Sequence, residues 1–309
     1  MSRGCASRHI LTACLFHCFT RKYPPRGVLF IYGQMYNDVN ETDPHITAGL
    51  TEVSIMGKLL EDIESYWTNR AEGYSDQNKA ELAGRQKNAW RDVICGHMPD
   101  KEKEDIKILD IGTGPGFFPI MLAQNGYRVN AVDYTPEMLV KAKENAGELN
   151  ERITFARMDA KELDFEDDTF DVIISRNLTW VLEEPDKAYR EWHRVLRSGG
   201  KMLNFDANWY RYLYDDKKKE GFEEDRANVA KSSFKDHNKA KGVDMEKMTE
   251  IAMQVPLSAL DRPVWDRRVL TDIGFSGIRI DETIGERVWD AEEKLNYAST
   301  PMFMVVAQK

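Results

Sequence analysis

Three features of the 309-residue sequence predict an α/β chain built on a doubly wound, mostly parallel sheet. Short apolar runs alternate with helical patterns from Lys107 to Phe205, a glycine-rich turn joins the first run to the helix after it, and the second run closes on an acid, Asp133. Parallel strands need helical crossovers of this length, and those crossovers are right-handed.

Composition narrows the classes of function. Lys and Arg total 43 against 52 Asp and Glu, a formal charge of −9 that repels phosphate backbones and argues against a general nucleic-acid binder. The longest uncharged apolar run, Ile10 to Phe19, is about half of what a bilayer-spanning helix needs, so no membrane partner is expected. Of the four cysteines, Cys5, Cys14 and Cys18 crowd the start and only Cys95 lies in the body. That usage reads as cytoplasmic rather than as a disulfide framework. Cys14, His17 and Cys18 lack the second ligand pair of a closed zinc site, and no metal is expected.

Residues 1–37 hold five basic residues and no acid, and Lys22-Tyr-Pro-Pro-Arg26 breaks any helix. They read as a disordered tail or a misassigned start with the true beginning at Met35. Residues 38–100 read as an N-terminal helical cover, with helical spacing from Glu52 to Trp67 and again from Asn78 to Cys95. The segment YWTNRAEGY, Tyr66 to Tyr74, lies between the two patterns.

Residues 101–206 form the core. Strands are expected at Lys107–Ile111, Arg128–Val132, Ile153–Met158, Phe170–Ser175 and Lys201–Phe205, with helices at Phe117–Asn125, Pro136–Glu148 and Asp186–Leu196. From 207 to 261 the alternation stops in a lysine-rich, helix-prone stretch that reads as a lid over the carboxyl edge of the sheet. Residues 262–309 resume it with a helix at Val264–Ile273 and strands at Gly277–Ile280 and Pro301–Ala307.

The first strand runs into Asp110-Ile-Gly112-Thr-Gly114-Pro-Gly116, three glycines at alternate positions where absent Cβ atoms permit close ligand approach or positive φ. Dinucleotide enzymes place a related GxGxxG loop here. An acid two residues before the loop repels pyrophosphate but accepts from an ammonium group, so the ligand should carry a cation. Asp133, ending the second strand, sits where doubly wound folds grip a ribose diol. Thr135-Pro136 then opens the next helix as cap and first-turn proline. After the third strand, the Asp159 carboxylate and the Ala160 N–H can read an adenine edge, while Tyr134 and Met138 offer it apolar faces. Arg176 and Asn177, ending the fourth strand, complete the proposed cofactor set.

A cation, a ribose and an adenine describe S-adenosylmethionine, and here the sequence resembles the class I S-adenosylmethionine-dependent methyltransferases, notably the ubiquinone and menaquinone C-methyltransferase group. The motifs are ILDIGTGPG, NAVDYTPEML, RMDAKELDFEDDTFDVIISRNL and RVLRSGGKML, in that order between about Ser65 and Leu203. The resemblance implies a Rossmann-like seven-stranded sheet with a reversed C-terminal hairpin, cofactor across the carboxyl ends of strands one to four, and substrate on the lid side. It also gives Asp110, Asp133 and Asp159 their methionine, ribose and adenine roles. The YWxxRAxxY segment resembles the family's N-terminal cofactor cover, making Tyr66, Arg70 and Tyr74 candidates to meet the methionine carboxylate.

The expected activity is methyl transfer to a small-molecule acceptor at O, N, S or C. A protein or peptide methyltransferase, or a non-catalytic S-adenosylmethionine-binding regulator, are the alternatives. Asp206 and Asn177 are the catalytic candidates: Asp206 to take a proton or hold a cationic acceptor, Asn177 with Tyr210 to orient it. Trp180, Asn208, Trp209 and Tyr210 are the substrate-binding candidates. His193, on a helix packed away from the crevice, reads as structural. A monomer or homodimer is expected.

Overall fold

The structure is a computed structural model that describes residues 44–309, with side chains from residue 57 onward. The reading of residues 1–37 and the Cys14, His17, Cys18 cluster therefore lie outside the described residues. The strand and helix rhythm of the core appears where the sequence places it: β1 (Ile108–Ile111), β2 (Val129–Asp133), β3 (Ile153–Arg157), β4 (Phe170–Arg176) and β5 (Leu196–Asp206). Two further strands, β6 (Ser276–Asp281) and β7 (Phe303–Gln308), complete a seven-stranded sheet of order β3-β2-β1-β4-β5-β7-β6. The first five strands pair in parallel, while β7 is antiparallel to both β5 and β6. This is the doubly wound sheet with a reversed terminal hairpin. Its order reverses between β1 and β4, which opens a crevice at their carboxyl ends.

Every residue of β1 is buried, because helices cover both faces of the sheet and leave no solvent side for alternation. On one face α2 (Gln86–Cys95) and α3 (Phe117–Gln124) bring Trp90, Phe117 and Phe118 onto Phe205, with Trp90 and Phe205 ring centroids 5.0 Å apart. On the other, α5 (Pro185–Val195) and α8 (Val264–Ile273) bring Tyr189, Trp192, Trp265 and Leu270. Between β2 and β3 runs α4 (Pro136–Ala146), opened by the expected proline after Thr135.

One local expectation is corrected. The segment from Tyr66 to Tyr74 does not separate two helices, because α1 runs unbroken from Pro44 to Ala83. Gly73 is not a break but a contact: a Cβ there would fall 2.1 Å from the Lys241 carbonyl oxygen. The missing side chain lets the Lys241 backbone press against the helix, and Arg70 donates to that same carbonyl at 2.6 Å.

The stretch from 207 to 261 carries α6 (Asp216–Lys231) and α7 (Met245–Ala252). Asp215 and Asp244 cap them by accepting from Lys218 N and Lys247 N. Met248, Ile251 and Ala252 of α7 pack with Leu59, Ile63 and Tyr66 of α1 and with Trp180. On the other side, α6 meets α10 (Ala291–Asn296), where Arg226 and Asp225 bond to Asn296 and Ser299. Among the described residues, no helix is long and apolar enough to cross a membrane.

Candidate functional site

A cavity opens at the crevice between β1 and β4, lined by the glycine loop, the ends of β2, β3 and β4, and α1. Its floor is set by backbone geometry. Gly112 and Gly114 take φ of +70° and +52°, and a Cβ on Gly112 would lie 2.8 Å from Leu178. Gly112 N and Thr113 N donate to Val132 O at 2.9 and 3.0 Å, locking the loop over the end of β2.

Asp133 fixes the loop from the side. Its Oδ2 accepts from Gly114 N at 2.8 Å and its Oδ1 from Thr135 N at 2.9 Å, so one carboxylate joins the loop to the start of α4. Burial holds its pKa above the ordinary carboxylate value against these two N–H groups. Each oxygen keeps a further lone pair, and the residue lines the cavity. Asp159 lines it too, with Oδ1 taken by Lys161 N at 3.0 Å. Tyr134 and Met138 form an apolar wall, and Arg157 covers one face of the Tyr134 ring at 4.8 Å.

Two cations border the cavity, and both are neutralised. Arg176 donates from both terminal nitrogens to Glu81 Oε2 at 3.0 Å and lies over the Phe117 ring at 4.5 Å. Lys161 is held by Glu183 at 3.1 Å and Glu184 at 3.0 Å. Two buried acceptors are left over: Asn177 Oδ1 and Glu183 Oε1 have no partner among the described residues. Asn177 takes φ of +56° while its N–H donates to Phe205 O at 2.8 Å, so the left-handed turn fixes where its amide stands.

The cavity thus gathers Tyr74, Gly112, Gly114, Asp133, Tyr134, Met138, Asp159, Ala160, Arg176 and Asn177 from the sequence candidates. Four others do not line it. Asp110 lies beneath the loop, 2% exposed, with its pKa pushed up to about 7 by burial. Gly116, at φ +93°, serves packing, since a Cβ there would meet Ala142 and Ile120 at 3.2 Å. Arg70 is turned to the Lys241 carbonyl and Gln77, and Tyr66 is buried in the contact between α1 and α7. Tyr74 alone of the three cover candidates reaches the loop, 3.4 Å from the position of a Gly114 Cβ.

The catalytic and substrate candidates after β5 require the larger correction. Asp206 is fully buried, and both oxygens are taken. Oδ2 accepts from Arg262 Nη1 at 2.6 Å, Thr179 Oγ1 at 2.5 Å and Trp180 N at 2.9 Å; Oδ1 accepts from Ala207 N and Trp209 Nε1. Arg262 also holds Asp266, which accepts from the Tyr189 hydroxyl at 2.5 Å. The acid is therefore the centre of an internal ion network, not a group open to an acceptor. Asn208 is spent on both backbone groups of Arg262. Trp180 donates to Asn177 O and stacks on Tyr210 at 5.0 Å, and Trp209 packs against Tyr297. None of these four lines the cavity. His193 packs on Phe275 at 4.8 Å, away from the crevice.

The sequence reading passed over Trp67, Leu178, Leu182, Lys161 and Glu183, all of which line the cavity. Trp67, Lys161 and Leu178 stand inside the sequence motifs, though none was singled out there. Leu182 and Glu183 carry no motif signal, and only the turn after β4 brings Glu183 to Lys161.

Residues 109–204 match the family model described as a methyltransferase domain. The chain is 36% identical over 99 residues to a phosphatidylethanolamine N-methyltransferase of Cereibacter sphaeroides, covering 31% of this chain and 48% of that protein. It is 31% identical over 138 residues to a ubiquinone/menaquinone biosynthesis C-methyltransferase of Agrobacterium fabrum, covering 43% and 53%. The chain thus spans about half the length of these curated relatives. Among solved structures, it superposes with a TM-score of 0.51 on a Haemonchus contortus phosphoethanolamine N-methyltransferase in complex with S-adenosylhomocysteine, at 20% identity, covering 72% of this chain and 52% of that one. It superposes equally well, at 0.51, on a putative S-adenosylmethionine-dependent methyltransferase of Methanococcus maripaludis, at 22% identity, covering 78% and 93%. At these identities the structural likeness bears on the fold.

Proposed function

We propose that this chain, whose residues 109–204 match the model of a methyltransferase domain, is a class I S-adenosylmethionine-dependent methyltransferase that transfers a methyl group from that cofactor to a small molecule. The observation that carries the reading is the polarity of the cavity. Its ionic lining offers acceptors, Asp133, Asp159, Asn177 and Glu183, while its two cations are already paired with Glu81, Glu183 and Glu184. A pyrophosphate needs free donors; a ligand bearing a sulfonium, an ammonium, a diol and an exocyclic amine needs acceptors. The residues present fit the second ligand.

In this reading Asp133 takes the ribose hydroxyls on its remaining lone pairs. Asp159 and the Ala160 N–H meet the adenine edge, and Tyr134, Met138 and Leu178 enclose the ring. Asn177 Oδ1, fixed by the left-handed turn after β4, accepts from an amine near the glycine loop. Bound there, the cofactor supplies a sulfonium whose methyl leaves in an in-line displacement. The chain's own contribution is alignment and exclusion of water, the larger part of what such a displacement needs. Trp67 and Tyr74 of α1 line the cavity on one side, which supports reading the N-terminal helix as its cover.

Calorimetric titration with S-adenosylmethionine, S-adenosylhomocysteine and NAD tests the reading, with Asp133→Ala as the comparison. Micromolar binding of both sulfur ligands is expected, weakened about 100-fold in a variant that still melts cooperatively, the two-hydrogen-bond loss corresponding to ~3 kcal/mol. Binding of NAD in their place, or of none of the three, sinks the proposal.

A further inference from the structure

We infer that Glu183 reads the exocyclic amine of the bound base, so that the site selects an adenosine ligand over its inosine counterpart. The inference rests on the cofactor reading above and adds to it a specificity residue that no motif supplies.

Three observations meet at this side chain. Glu183 lines the cavity beside Asp159, Ala160 and Lys161, the residues at the end of β3. Its side chain is only 6% exposed, and its two oxygens are unequal: Oε2 is 3.1 Å from Lys161 Nζ, whereas Oε1 is buried without a partner among the described residues. A carboxylate oxygen shut away from water without a donor is destabilised, and a ligand N–H placed there removes the penalty. Lys161 explains why the carboxylate stands where it does. Its backbone N–H donates to Asp159 Oδ1 at 3.0 Å and its ammonium holds Glu183 and Glu184. One residue thus fixes Asp159 and Glu183 together on the same wall of the cavity.

Two carboxylates on one wall match an amine that carries two N–H groups. Asp159 has an oxygen beyond the one taken by Lys161 N, and Glu183 has its unpartnered Oε1. An amino group on the base satisfies both. A carbonyl at the same ring position instead brings an acceptor against two acceptors, and a site built to bond a donor rejects the analogue that lacks it. The Lys161 ammonium also lines the cavity, but it is already engaged by Glu183 and Glu184.

The test compares S-adenosylhomocysteine with S-inosylhomocysteine by calorimetry on the full chain. Wild type is expected to prefer the adenosine ligand at least 100-fold. Glu183→Gln presents an amide whose N–H₂ can donate to the inosine carbonyl, and should lower that preference at least tenfold. Glu183→Asp keeps the charge opposite Lys161 but withdraws the oxygen from the base. It should weaken the adenosine ligand and spare the inosine one, and serves if the amide variant fails to fold. Glu184→Gln removes the other Lys161 partner, which does not line the cavity, and should leave the preference within twofold.

An unchanged preference in both Glu183 variants overturns the inference, with water rather than the base as the partner of Oε1. An equal loss of both ligands also overturns it, since Glu183 would then only brace Lys161. Failure of wild type to bind either sulfur ligand is the separate failure of the cofactor reading, and removes the ground of the inference with it.

Discussion

The two halves of the sheet's carboxyl edge use their acids in opposite ways. At β1 to β4, Asp133 and Asp159 line an open cavity and bond chiefly to backbone N–H groups, which leave lone pairs free. At β5, Asp206 is enclosed by Arg262, Thr179 and the start of the Trp180 turn, and nothing remains to offer a ligand. An acid at a strand end is thus an ambiguous sign. What decides it is whether a cation arrives from elsewhere in the chain, and Arg262 comes from the segment just before α8.

The largest effect that can break this contrast is at Arg262. Replacement by Met strands Asp206 and Asp266 in the core without a counter-ion, and should destabilise the fold by roughly 3–5 kcal/mol in urea melts. No residue of that network lines the cavity, and it meets the β1 to β4 half through Thr179 and Trp180 in the turn after β4, so S-adenosylhomocysteine affinity of the folded variant should stay within about threefold. A loss beyond thirtyfold would show that the two halves are one site.

Asp110 sharpens the contrast through pH. Burial raises its pKa from the ordinary 3.8 to about 7, so the folded chain retains a proton that the unfolded chain has already lost. Stability therefore falls as pH rises through that window and levels off above it. Asp110→Asn cannot ionise, and its stability relative to wild type should improve between pH 4 and pH 8 by roughly 2–4 kcal/mol, a shift of about three pKa units. Urea melts at pH 4, 6 and 8 measure it. Glu293, whose pKa burial raises to about 8, adds its own decline to both proteins and cancels in the difference. A gap that does not vary with pH would place Asp110 in contact with water after all.

The smallest effect is expected at His193, whose ring packs on Phe275 far from the cavity. His193→Gln should change S-adenosylhomocysteine affinity less than twofold and leave the pH profile of that affinity superimposable on that of wild type. A displaced profile would make this helix part of the site.

The strands, the glycine loop and the cavity acids Asp133 and Asp159 were legible because each is a local pattern. Apolar runs of strand length, glycines that must adopt positive φ, and acids at strand tips carry their signal within a few residues. The N-terminal helix shows the limit of that reading. Gly73 lies in what read as an interruption, yet it is where the Lys241 carbonyl presses on α1. The same contact draws Arg70 away from the cavity, and only Tyr74 keeps the position that the motif suggested. Glu183 was silent for a related reason: its meaning depends on Lys161, 22 residues earlier, and on the turn after β4.

By itself the sequence determined the parallel core and the acids at its strand ends, since these follow from periodicity and from backbone constraints that neighbours impose, while the reversed hairpin came from the family resemblance. Tertiary structure alone decided which polar groups remain available. A buried carboxylate must find a donor or a cation, and whether its partner is backbone, a distant arginine or a ligand depends on which segments the fold brings within 3 Å.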